Sequence, residues 1–357
     1  MVLEHIFPED WLERKGIYAL ILGIVYSFIG LLIASVLFPG DPALVAVAFT
    51  SLLLLPELYK IFSIEERQES MEQKVSLQSL WKDDVDVVKI YVYLFIGILL
   101  VYSVGTMVMP EMQSNTLFRE QLEIRFGQGF AGSAVSTEFF DAGLFKSLLS
   151  NNFLVLMACF IMALLTGDGA IFLITWNASV WGTIFGLTAK NAASFSGQWP
   201  ILIFVGIMFV VFCHMIIEAL SYFLAAISGS VISKDVLLEK FASNRFFEVF
   251  TFNLYLLLAA LITLLIGALV ETIVLIMELP IFAFAIIVVI LLAVFLITKY
   301  FILPFEWRGN HLFNNLFLYF YAFFIALAVM IIFGLPDFGL GTISYQEIIK
   351  MSFMASA

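Results

Sequence analysis

The stretch Val211-Phe-Cys-His-Met-Ile-Ile-Glu-Ala-Leu-Ser-Tyr-Phe-Leu-Ala-Ala-Ile-Ser-Gly229 reads as an apolar helix carrying one imidazole and one carboxylate where hydrocarbon is expected. His214 and Glu218 stand at i and i+4, so they share a face. Ser221, Ala225 and Gly229 continue along that face as a small-xxx-small ladder, which lets another backbone approach closely inside a bilayer. The opposite side, with Met215, Ile216, Leu220, Phe223, Leu224 and Ile227, suits lipid or apolar packing. An ionisable group in the middle of a spanning helix costs about 2.5 to 3.5 kcal/mol even on the insertion scale, so such groups face protein or a wet cavity. The stretch is therefore expected at the centre of a membrane bundle.

Composition agrees. With 62% hydrophobic and 13% charged residues over 357 positions, and a mean hydropathy of +1.06, the chain has more apolar surface than a water-soluble domain could hide. The apolar segments are long and nearly uncharged, which marks membrane helices, whereas barrel strands would alternate over about 10 residues. The expected fold is all-α: a polytopic transmembrane bundle of nine spans with amphipathic interfacial helices. A net charge of -11 argues against nucleic acid and against a polybasic lipid-binding patch. Cys159 and Cys213 both fall in expected spans, so no disulfide framework is implied. Residues 1–15 are acidic and lack a cleavage-site pattern, so the first span is expected to act as its own insertion signal.

Taken in order, residues 16–38 form the first span and Pro39-Gly-Asp-Pro42 a hairpin turn. Residues 43–62 return. The polar stretch 63–88, opened by a capping box of Ser63 and Glu66, reads as a cytoplasmic helical connector. Residues 89–109 span again, up to Pro110. Residues 111–150 read as a loop with two amphipathic pieces, 116–126 and 137–149, lying on the membrane surface, with Gln121 interrupting the first apolar face. A short segment, 153–166, then leads through Gly167-Asp168-Gly169 to 170–189, a turn tight enough for a helical hairpin or a partly re-entrant pair. The second of these carries Asn177 and a small-residue ladder of Ala178, Gly182 and Gly186, expected to meet the ladder on the His214 helix. That helix opens at Trp199-Pro200 and runs to Ser230; further spans follow at 249–277, 281–297 and within 311–336. We divide the chain into an amino-terminal hairpin with its connector (1–87), a core (88–232) and carboxyl-terminal helices with a tail (233–357).

Orientation follows from lysine and arginine placement. With the amino terminus inside, 12 of the 17 basic residues fall in inner segments and 5 in outer ones. This implies a plasma-membrane protein with its amino terminus cytoplasmic, its carboxyl terminus outside and the amphipathic loop extracytoplasmic.

Three elements together carry a family resemblance: Ser150-Asn151-Asn152-Phe153 before an apolar helix; Gly167-Asp-Gly169 followed by Trp176-Asn177-Ala-Ser179 and glycines; and Cys213-His214-x-x-x-Glu218 leading to Ala226-Ile-Ser-Gly229. In this order they resemble the stage II sporulation protein M family, across residues 88–230. The chain departs from the family's usual pattern at Ala178, where Gly is common, and at Met215 after the histidine. The amino-terminal hairpin is similar to that of archaeal members. The resemblance implies a multi-pass membrane protein that, in spore-forming bacteria, holds cell-wall hydrolases at the engulfing membrane and elsewhere has no settled activity. It implies no chemistry of its own, and an archaeal setting would remove the hydrolases' substrate.

The residues themselves argue against an enzyme. A zinc protease needs two imidazoles in H-E-x-x-H, and the histidines here are His5, His214 and His311. One imidazole and one carboxylate do not fill a four-ligand zinc site, so no metal or other cofactor is expected. An intramembrane serine protease would need a serine within reach of His214, and Ser228 and Ser230 are candidates by type only. The expected role of His214, Glu218, Asn177, Asn151 and Asn152 is a core polar network that fixes helix register through contacts of about 0.6 to 2 kcal/mol each. Asp168 reads as an interfacial turn residue and Glu271 as a residue at the membrane surface. Asn314-Asn315 echoes Asn151-Asn152 without a convincing repeat around it. The function expected is a scaffold for membrane or extracytoplasmic protein partners in contact with membrane lipids, with self-association left open. The competing function is a proton-coupled transporter or channel using His214 and Glu218 as a relay.

Overall fold

The computed structural model describes residues 16–71, 77–127, 142–238 and 243–276, and its elements are all α-helices: α1 (Gly16–Leu37), α2 (Pro42–Met71), α3 (Leu77–Val108), α4 (Glu111–Leu117), α5 (Arg119–Gly127), α6 (Ala142–Thr166), α7 (Ala170–Ser196), α8 (Pro200–Leu238) and α9 (Asn244–Ile276). Seven of them, all but α4 and α5, are long and apolar enough to cross a membrane. The segments 281–297 and 311–336, expected as two further spans, lie outside the described residues.

Three boundaries differ from the sequence reading. The polar connector is no separate helix: α2 continues past its apolar part to Met71, and α3 starts at Leu77, ten residues before its apolar part at Val87. From Ala142 on, the amphipathic piece placed at 137–149 and the short segment 153–166 are one helix, α6, of 25 residues, while 137–141 lie outside the described residues; α7 has 27, so neither helix is too short to cross. Periodicity misleads here because the first turns of α6 carry Lys146 and Ser147 among apolar residues, which imitates a surface helix. The α6–α7 turn closes on Gly167 at φ 79°, and α7 ends at Gly197 at φ 70°. Both adopt the left-handed conformation that lets a glycine amide satisfy a carbonyl of the last helical turn, here Ala163 O at 2.7 Å and Ala193 O at 2.9 Å. Pro200 then opens α8 at the position where a missing N–H costs nothing.

The surface-lying expectation for 116–126 also changes. Phe118 and Gln121 are fully buried, and Leu117 and Leu122 nearly so. The α4–α5 corner is therefore tucked into the bundle end, with Phe118 against Tyr102 of α3 at 5.6 Å between ring centroids. Gln121 does not spoil an apolar face; its Nε2 donates to Ala43 O at the start of α2 and to Ser179 Oγ of α7, each at 3.4 Å.

α8 is the central helix. In its apolar part, His214 to Ser233, 83% of residues are buried, against 22 to 56% in the other six spans. It packs against α3, α6, α7 and α9, while α7 in turn packs against α2 and α3. Aromatic rings join the two sides: Phe95 of α3 meets Trp181 of α7 edge-on at 5.6 Å and Phe223 of α8 at 5.8 Å, and Tyr91 stacks on Phe223 at 5.5 Å. At 39 residues α8 is about 58 Å long, nearly twice the hydrocarbon thickness, so it extends beyond the apolar slab.

Candidate functional site: the polar seam of α8

Most hydroxyls within the spans are satisfied by their own helix. Thr50, Ser51, Ser103, Thr106 and Thr272 each donate to the carbonyl four residues back, at 2.7 to 2.8 Å. The polar groups that reach a different helix are therefore the informative ones; besides Gln121 of α5 and Lys190 of α7, whose Nζ donates to Met109 O, they gather along α8 at two levels.

At the first level Glu218 is 3% exposed. Asn152 Nδ2 of α6 donates to Glu218 Oε1 at 2.7 Å, and Asn151 Nδ2 donates to Asn152 Oδ1 at 3.3 Å, so the two asparagines act in series. From the other side α9 comes so close at Gly267 that an added Cβ would lie 3.0 Å from Glu218 Cγ. One turn further along α9, Glu271 brings its carboxyl within hydrogen-bonding reach of the Glu218 carboxyl. Two carboxyls can bond each other only through a proton that one of them carries. His214 is buried one turn before Glu218 on the same helix.

At the second level Ser228 Oγ donates to Asn253 O of α9 at 2.7 Å, and Ser230 Oγ donates to Asp168 Oδ1 in the α6–α7 turn at 3.3 Å. Asp168 is 6% exposed, so the turn carboxylate is turned inward instead of lying open at the interface. Between the levels Gly229 lets α6 approach until an added Cβ would meet Phe160 O at 2.4 Å. The pairings 152 with 218 and 168 with 230 set α6 parallel to α8; 267 with 218 and 253 with 228 set α9 antiparallel.

The expected polar network is thus redistributed. Asn151, Asn152 and Glu218 come together, but Asn177 does not join them: its Nδ2 donates to Leu173 O of its own helix at 2.8 Å. That internal partner removes the need for a contact across helices. Glu271, read as a surface residue, belongs to the site. Its signal in the sequence was its distance from a span end: α9 continues to Ile276, so Glu271 is still inside the helix.

The small-residue ladders also find other partners than expected. Ala178 is fully buried, but an added Cβ at Gly182 would meet Leu99 O at 2.5 Å and one at Gly186 would meet Ser103 O at 2.5 Å, both on α3. On α8, Ser221 bonds its own Glu218 O at 2.6 Å, Ala225 is fully buried, and Gly229 faces α6. The two ladders do not face each other. A ladder in the sequence marks a close contact without naming the neighbour, because every span offers a similar apolar surface. Among the described residues no cluster of three or more metal-ligating side chains occurs.

The fold and the seam define a multi-pass helical membrane protein organised around one buried polar helix. Residues 87–274, more than half of the 357, match the family described as Stage II sporulation protein M, and the chain belongs to that family. The match begins at the apolar part of α3 and runs through α9, beyond the motifs at 150–230 that carry the resemblance in the sequence. No curated protein and no solved structure matches the chain.

Proposed function

We propose that the protein is a membrane scaffold without catalytic activity, set in the plasma membrane with its amino terminus cytoplasmic, and that it holds membrane or extracytoplasmic protein partners on a rigid bundle. The observation that carries this reading is the closure of the seam: Glu218 is 3% and His214 8% exposed, and the Glu218 carboxylate is engaged from both sides by α6 and α9. Polar groups spent on joining three helices fix register, as interhelical hydrogen bonds in membranes do at about 0.6 to 1.7 kcal/mol each.

One observation favours a second reading, proton-coupled transport. The Glu218 and Glu271 carboxyls face each other, Glu218 buried and Glu271 half-buried, and a carboxyl pair so placed can take up and release a proton. Glu218→Gln separates the two, since it keeps shape and hydrogen bonding and removes the titratable group. Reconstituted vesicles under a pH gradient are expected to show no protein-dependent proton flux for either protein, and association with partners is expected to survive the substitution. A flux present in the wild type and lost in a well-folded Glu218→Gln protein would replace the scaffold reading by transport.

The orientation has its own test. In a background lacking Cys159 and Cys213, a cysteine at Ser136 is expected to react with an impermeant thiol reagent added outside intact cells; Ser114, expected outside as well, is buried in the α4–α5 corner and is not used as a reporter. A cysteine at Ser76 is expected to stay unlabelled until the membrane is opened. Labelling at Ser76 from outside would reverse the topology.

A further inference from the structure

We propose that the groove between α1, α3 and α4 is a binding site for a hydrocarbon chain of a membrane lipid. α1 and α3 are pressed together at a glycine crossing: an added Cβ on Gly23 would lie 2.6 Å from Leu94 O, and one on Gly97 2.5 Å from Leu20 O. Helices that cross at an angle separate on either side of the contact. Immediately past this crossing, from Ile24 and Leu100 onward, a cavity of about 900 Å³ opens between them and runs to α4.

Its walls are hydrocarbon and face outward. Phe28 and Leu32 of α1 are 57% and 49% exposed, and Val104 and Val108 of α3 are 46% and 77% exposed. From Ile24 to Ser35 the groove follows α1 for about 16 Å, close to the ~15 Å depth of one leaflet's hydrocarbon. The polar side chains of the lining, Ser35, Gln113 and Thr116, are confined to the α4 end. This is the polarity profile of a single lipid leaflet.

Shape argues against a partner helix as the occupant: the groove narrows toward the Gly23–Gly97 crossing, where the two backbones touch, and a rigid cylinder cannot follow that wedge. A flexible chain fits its wedge shape, and a bilayer leaves no such space empty. At the polar end Arg119 is already met by Asp41 at 3.4 Å, Glu120 at 3.1 Å and Glu123 at 3.6 Å. Lys190 Nζ donates to Met109 O in the groove wall, so the rim carries cationic and anionic groups side by side, and a zwitterionic lipid is the fitting probe.

The test uses the full chain reconstituted in phosphatidylcholine nanodiscs, extracted into detergent and stripped of bulk lipid, with bound lipid counted by native mass spectrometry. The wild type is expected to keep one phosphatidylcholine per chain. Val104→Trp and Leu32→Trp put a ring into the groove and are expected to lower its occupancy about tenfold, whereas Leu258→Trp, at an exposed apolar position on α9, leaves it unchanged. Should either groove variant fail to fold, the other carries the comparison, and Phe28→Ala, which only thins a wall, is expected to speed lipid loss. A wild type that keeps only detergent, groove variants that keep as much lipid as the wild type, or a second protein chain protecting the groove would each overturn the proposal.

Discussion

Between α1 and α3 the close approach rests on glycines alone, whereas between α6, α8 and α9 the glycines Gly229 and Gly267 are joined by side chains that hydrogen-bond from helix to helix. On the first side Gly23 and Gly97 bring two backbones into contact, Gly182 and Gly186 do the same for α7 against α3, and nearby hydroxyls such as Ser103 and Thr106 turn back on their own helix. On the second side Asn152, Glu218, Ser228 and Ser230 reach across. Lipid gives helices no hydrophobic reason to associate, so a bundle must rely on close packing or on polar contacts. This chain relies on close packing alone between α1 and α3 and adds polar contacts around α8, the span with the largest buried share.

The comparison breaks most visibly at the glycines. Gly97→Leu is expected to cost about 3 kcal/mol or more, because the new side chain would have to occupy the space of a backbone carbonyl that cannot move aside. Thermal denaturation in detergent should show a large drop or loss of the folded peak. If Gly97→Leu were as stable as the wild type, the glycine crossing would not be a close contact.

A smaller and more selective effect is expected at the carboxylate. Glu218→Leu should lose about 1 to 3 kcal/mol, since it leaves the Asn152 amide and the Glu271 carboxyl buried without their partner. Glu218→Gln keeps an acceptor for Asn152 and should stay within about 0.5 kcal/mol of the wild type. Equal losses for both variants, measured by unfolding in a detergent series, would mean that charge and not hydrogen bonding holds the seam.

The smallest effects set the two sides apart by a control. Ser228→Ala removes a bond to another helix, at Asn253 O, and should cost about 0.6 kcal/mol. Thr106→Val removes a bond within one helix, to Tyr102 O, and should cost less than that. A larger loss for Thr106→Val than for Ser228→Ala would remove the distinction between helix-internal and interhelical hydroxyls.

Much of this was legible in the sequence, for a physical reason. A bilayer forces every spanning backbone into helices and penalises buried charge, so long apolar runs gave the architecture, and His214 with Glu218 marked α8 as central. The order Asn151-Asn152, Gly167-Asp-Gly169 and His214 to Glu218 pointed to the family that the match over 87–274 then established. What the sequence left open was which helix stands beside which. Asn177 and Asn152 look equally able to reach Glu218, and both lie on helices packed beside α8, but Asn177 bonds Leu173 O of its own helix while Asn152 reaches the carboxyl. Glu271 looked peripheral because its neighbour on α8 is 53 positions away in the chain. The ladders at Gly182 and Gly229 announced close contacts, and α3 and α6 supplied them. Composition and periodicity act along one helix at a time; partner choice depends on how all the apolar surfaces are divided among neighbours, and that is decided only when the bundle is assembled.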